Sequence, residues 1–122
     1  MNILIISDDA NSAELLTVIL RQAGVLAVTT HRTDGEGAVS AAAKEVPDLI
    51  LIDVTGSSFD PLDVCRALRS ETIAPIVVLS PRAEEERVLQ VYEAGIDEYL
   101  CKPISPRILV AKVKALLRRA LS

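Results

Sequence analysis

This sequence predicts a doubly wound α/β fold, a five-stranded parallel sheet of order 2-1-3-4-5 with two helices on one face and three on the other. Three observations predict it. The chain has 122 residues, near the commonest size of a single domain, and reads as one domain over 1–122. Five short apolar runs recur along it, several nearly continuous in Ile, Leu and Val, as expected of parallel strands covered on both faces. A longer stretch of helical period follows each run, and units alternating in this way close into a parallel sheet.

The elements follow in order. Ile3–Ser7 is the first strand, and Leu15, Leu16, Ile19 and Leu20 form the apolar stripe of a helix over Ser12–Ala23 that Gly24 closes. Leu26–Thr30 is the second strand, Gly35–Glu45 the second helix, Asp48–Asp53 the third strand and Leu62–Ser70 the third helix. Ile76–Ser80 is the fourth strand, and a helix over Ala83–Ala94 ends at Gly95. Glu98–Cys101 is the last strand, and Ser105 caps a final helix, Pro106–Ala120, with Pro in its first turn. His31 falls beyond the second strand and reads as a solvated loop residue, and Glu84-Glu85-Glu86 as first-turn acids complementing a helix dipole.

Composition narrows the function. Half the residues are hydrophobic, yet the aromatics are only Phe59, Tyr92 and Tyr99, so aliphatic side chains must fill the interior. Thirteen basic against seventeen acidic residues give a net charge of −4, which argues against direct nucleic-acid binding by this domain. No apolar run approaches the roughly 20 residues that span a bilayer, so no membrane partner is expected. Cys65 and Cys101 lie far apart without a CxxC pattern and read as free thiols of a cytoplasmic protein.

The chemistry lies at the strand ends, where ligands of such sheets bind. The first strand runs into Asp8-Asp9, the third ends in Asp53, the fourth in Ser80, and the fifth leads to Lys102-Pro103. Taken singly, each has a plain explanation: a helix cap, a turn, a solvated charge. Together they are harder to dismiss. Three carboxylates converging on one sheet end oppose one another's ionisation, and a hard divalent cation removes that conflict. A lysine and a hydroxyl on neighbouring strand ends are suited to phosphoryl oxygens, so the set describes an aspartate nucleophile with Mg2+ and two phosphoryl binders.

The motifs Ile5-Ile6-Ser7-Asp8-Asp9, Pro47-Asp48-Leu49-Ile50-Leu51-Ile52-Asp53, Val77-Val78-Leu79-Ser80 and Glu93–Pro103 resemble those of bacterial response-regulator receiver domains, over essentially the whole chain. The likeness is greatest to receivers of winged-helix transcriptional regulators, notably in the tail Val113–Arg119. The resemblance implies a flavodoxin-like (βα)5 domain that is not an enzyme in its own right. Asp53 would accept a phosphoryl group from a sensor histidine kinase or phosphotransfer protein. Asp9, Asp53 and the backbone carbonyl of Thr55 would ligate Mg2+, with Asp8 acting through water. Lys102 and Ser80 would hold the phosphoryl group, Tyr99 would be the aromatic switch, and the Lys102–Pro103 bond would be cis. It further implies a homodimer through the fourth helix, fifth strand and fifth helix, with Asp97, Glu98, Lys112 and Arg119 as its charges. Val88 and Ile108 stand where an Arg–Glu pair is usual.

Several positions depart from that pattern. Pro81 follows Ser80 where a small residue usually offers its N–H to the phosphoryl group, and proline has none. The loop after Asp53 reads Thr55-Gly56-Ser57-Ser58-Phe59-Asp60-Pro61 instead of carrying Pro-Gly and Asp-Gly pairs, and Ile104 replaces a common Phe. Two other readings compete. One is a pseudo-receiver, the same fold used as a phosphorylation-independent interaction module. The other is a haloacid-dehalogenase-type phosphatase, which needs a second acid where this chain has Thr55.

Overall fold

The structure, a computed structural model, describes residues 1–33, 37–56 and 59–121. Five strands, β1 (Asn2–Ser7), β2 (Ala27–Arg32), β3 (Leu49–Asp53), β4 (Ile76–Ser80) and β5 (Glu98–Cys101), alternate with five helices. These are α1 (Ala10–Gln22), α2 (Ala38–Glu45), α3 (Pro61–Arg69), α4 (Glu85–Glu93) and α5 (Pro106–Leu121). All strand pairs are parallel and the sheet order is β2-β1-β3-β4-β5.

The apolar runs are continuous because both faces of the sheet are covered. Leu4, Ile6, Ile50, Ile52, Ile76 and Val78 pack with Ala38 and Ala42 of α2, Val64, Cys65 and Leu68 of α3, and Val91 of α4. The alternate residues Ile3, Ile5, Leu49, Leu51, Val77 and Leu79 pack with Leu16 and Leu20 of α1 and Leu109, Val113 and Leu116 of α5. Two helices therefore lie on one face and three on the other. Each fully buried Leu or Ile contributes roughly 1.5–3 kcal/mol, so these two layers dominate the stability of the domain.

Differences from the sequence reading are local. The buried line of α1 is Ala13, Leu16 and Leu20, at i, i+3 and i+7, while Leu15 is exposed. α1 starts at Ala10 because Asp9 caps it. β2 is shifted two residues later at its end, so His31 lies within an edge strand and is half-buried, not in a loop beyond it. α4 starts at Glu85 instead of Ala83, with Glu84 at its cap. The Gly35 start expected for α2 lies outside the described residues.

Gly24 and Gly95 close α1 and α4 with φ of +95° and +108°. Gly95 has a second reason to lack a side chain: a Cβ there would lie 2.5 Å from Cδ of Arg69. That guanidinium donates to the carbonyls of Gly95 and Thr72, at 2.8 and 2.9 Å, and to Ala74, at 2.5 Å. It thereby ties the end of α3 to the start of β4 and the end of α4.

Candidate functional site

β1 and β3 pair in register so that Ser7 stands opposite Asp53, both at the carboxyl ends of their strands. Asp53 is fully buried, an arrangement that requires partners for its charge. The Ser7 hydroxyl donates to Oδ2 of Asp53 at 2.8 Å. Nζ of Lys102 lies 2.5 Å from Oδ1, an ion pair lacking hydrogen-bond geometry, and Oδ1 has no hydrogen-bond partner. Lys102 reaches this position from the loop after β5, where its N–H donates to the Ser80 carbonyl at 2.8 Å and its peptide bond to Pro103 is cis, as the resemblance implied.

Asp8 follows β1 and turns to the loop after β3. Its Oδ1 accepts from the N–H and hydroxyl of Thr55 at 2.9 and 2.8 Å, and its Oδ2 from the N–H of Gly56 at 2.7 Å. Burial pushes the Asp8 carboxyl up, but the hydrogen bonds from Gly56 and Thr55 outweigh it and hold the pKa below the ordinary 3.8.

Asp9, expected as a cation ligand, is also engaged locally. Its carboxylate accepts from the N–H of Ser12 at 3.3 Å as the N-cap of α1. Among the described residues, no three His, Cys, Asp or Glu side chains gather closely enough to hold a metal ion. The expected trio of Asp8, Asp9 and Asp53 is therefore not assembled here. The residues brought together are Ser7, Asp8, Asp53 and Lys102, with Thr55. An unbonded, buried carboxylate oxygen on Asp53, beside a second carboxylate in a polar loop, is nonetheless a donor set that fits a hard cation.

Ser80 is buried at the end of β4, and its Oγ accepts from the N–H of Arg82 at 3.2 Å. Arg82 went unnoticed in the sequence, where nothing distinguishes it from a solvated charge. Its guanidinium donates to the Gly56 carbonyl, and its own carbonyl accepts from the Tyr99 hydroxyl, each at 2.5 Å. Tyr99 is half-buried, and its N–H donates to the Tyr92 hydroxyl at 2.9 Å. The loops after β3 and β4 and the strand β5 are thus connected through one residue.

On the α4–β5–α5 side, Ile108 is 51% exposed and Val88 half-buried. Several of the charges expected to face a partner are engaged within the chain. Lys112 bonds Glu98 at 3.0 Å, while Asp97 accepts from the N–H of Ile76 at 2.9 Å and lies 3.7 Å from Arg69. Arg119 also has a partner within the chain.

A family model described as "Response regulator receiver domain" matches residues 3–114. The chain is 41% identical over 117 residues to the DNA-binding response regulator MtrA of Mycobacterium tuberculosis strain H37Rv, covering 96% of this chain and 50% of that protein. It is 37% identical over 118 residues to the transcriptional regulatory protein ResD of Bacillus subtilis, covering 97% of this chain and 48% of ResD. The chain thus spans about half the length of these relatives. Among solved structures, a two-component response regulator from Clostridium difficile matches with a TM-score of 0.87 and 32% identity, over 100% of this chain and 99% of that one.

Proposed function

This chain belongs to the response regulator receiver domain family of two-component systems, and from that premise we propose that it is a phosphoacceptor switch working through Asp53. The observation that carries the reading is the state of Asp53: buried, with Oδ1 lacking a hydrogen bond and Nζ of Lys102 2.5 Å from it, while Oδ2 accepts from Ser7. The donor is a sensor histidine kinase or a phosphotransfer protein. An oxygen of Asp53 attacks phosphorus, the bond from phosphorus to the donor imidazole breaks with its electron pair remaining on nitrogen, and an aspartyl phosphate results.

Asp8, Asp53 and the Thr55 carbonyl would hold Mg2+, which when bound offsets the negative charge of the carboxylates and the phosphoryl oxygens. Lys102 is placed to move from Asp53 to a phosphoryl oxygen. Ser80 accepts from Arg82, and its own proton has no acceptor among the described residues, so the hydroxyl is free to donate to a second oxygen. When Ser80 turns, the Arg82 loop is displaced, and Tyr99, bonded to the Arg82 carbonyl, follows.

The output surface is α4–β5–α5. With Glu98, Lys112 and Asp97 engaged internally, the proposed symmetric dimer rests on an apolar contact of Val88 and Ile108. Transcription control is the proposed output, following MtrA and ResD, and the free Cys65 and Cys101 fit a reducing cytoplasm.

A phosphorylation-independent module is the second reading, and one observation favours it. Pro81 has no N–H to offer a phosphoryl group, and the N–H of Thr55 in the neighbouring loop is already bonded to Asp8. Intact-mass spectrometry after acetyl phosphate and Mg2+ decides between the two. A gain of one phosphoryl group in the wild type and none in Asp53→Asn supports the switch; no gain in either supports the module.

A further inference from the structure

The residue facing Asp53 across the β1–β3 pair is a hydroxyl, Ser7, and not an acid. Ser7 is 1% exposed, and its oxygen sits 2.8 Å from Asp53 Oδ2 and 3.0 Å from the Asp9 carbonyl while accepting the Asp9 N–H at 3.1 Å. A hydroxyl has one proton, and the nearer, charged acceptor takes it. Asp9, the acid that would otherwise complete a trio, caps α1.

We infer that the cation site of this domain is built on only two carboxylates, Asp8 and Asp53, with the Thr55 carbonyl, and that Ser7 stands at the position where a third negative charge would bind the ion more tightly. The inference deepens the phosphoacceptor reading and rests on it for placing a cation beside Asp53. With Lys102 opposite two carboxylates, the local charge before the ion enters is −1, and an acid in place of Ser7 would make it −2. A further unit charge within a few ångströms of a divalent ion is a large effect even where solvent screens it. The ion also has to compete with the three hydrogen bonds that hold Asp8 to Thr55 and Gly56. With that competition and only two carboxylates, the cation affinity of the site is weak.

The test uses the whole chain with MgCl2 or MnCl2 alone, following affinity by isothermal titration calorimetry and by the electron paramagnetic resonance of free Mn2+. Ser7→Asp should tighten binding by at least roughly tenfold. Asp9→Asn, which keeps a capping side chain, should leave the affinity within about twofold, and Asp8→Asn should abolish binding. Binding detectable only in Ser7→Asp supports the inference as well. A folded Ser7→Asp chain with unchanged affinity would overturn it, as would a loss of binding in Asp9→Asn. Ser7→Asp crowds a third carboxylate against Asp53 and is expected to be less stable without the cation. Recovery of its circular dichroism on adding MgCl2 supports the inference, and failure to fold at any MgCl2 concentration counts against it. If the wild type never takes a phosphoryl group and Ser7→Asp still tightens the cation, the inference stands and the phosphoacceptor reading falls.

Discussion

Pro81 directly follows the buried hydroxyl of Ser80, and it removes from the backbone an N–H that receivers usually aim at the phosphoryl group. A hydrogen bond to a charged group contributes about 1.5–3 kcal/mol, and its absence corresponds to roughly a ten- to hundredfold loss in occupancy or rate. Arg82 bears on the same point, because its N–H turns to Ser80 and its guanidinium to Gly56. Pro81→Ala should raise the fraction of Asp53 carrying phosphoryl after acetyl phosphate and Mg2+. Equal intact-mass profiles for the two proteins would show that Pro81 does not limit the reaction. Legibility in the sequence was uneven at this scale. Asp53, Ser80 and Lys102 end strands or follow them directly, so they stood out. Arg82 acts through a guanidinium-to-carbonyl contact with Gly56, 26 residues away in the chain, and no local pattern encodes that.

The elements carry two predictions. α5 buries Leu109, Val113 and Leu116 and leaves Ile108 on another face, 51% exposed, while Val88 of α4 is half-buried. A charge there should cost little fold stability, since exposed positions usually tolerate substitution within about 0.5 kcal/mol. It should block an apolar self-contact. Ile108→Glu is therefore expected to keep the thermal midpoint of the wild type and to abolish any dimer formed on phosphorylation, measured by analytical ultracentrifugation. Unchanged self-association would place the dimer surface elsewhere. The end of α2 shows a different constraint. Val46 closes that helix with φ of 45° and ψ of 61°, a left-handed conformation in which a branched side chain is strained, and it is 76% exposed. Asn adopts this region more readily, so Val46→Asn should raise unfolding stability by about 1 kcal/mol in a denaturant titration.

At the scale of the whole molecule, the two thiols report on how the core closes. Cys65 is fully buried against the sheet, and burial is the main cause that pushes its thiol from 9.0 up to about 12, with nearby Arg69 acting in the opposite direction. Cys101, on β5, is exposed. One thiol should react with a disulfide reagent at pH 8, and the second only when the domain unfolds. Because the folded-state pKa of Cys65 lies above the unfolded value, its contribution to stability is complete below pH 9 and is lost as pH rises toward 12. The slope is at most about 1.4 kcal/mol per pH unit. Cys65→Ala should remove that part of the alkaline decline in denaturant melts; an identical decline in both proteins would show that Cys65 does not cause it. The sequence by itself determined the alternation of strands and helices, the double layer of aliphatic packing and the strand-end positions of Asp53, Ser80 and Lys102. Those follow from local periodicity and from the polar residues that end apolar runs. Only the tertiary structure decided which residue of Ser7, Asp8 and Asp9 meets Asp53. Successive side chains of a strand point to opposite faces, so a shift of one position exchanges them, and pairing between β1 and β3 fixes Ser7 opposite Asp53. Where the strand gives way to α1, the helix's unpaired N–H groups need a cap, and Asp9 supplies it.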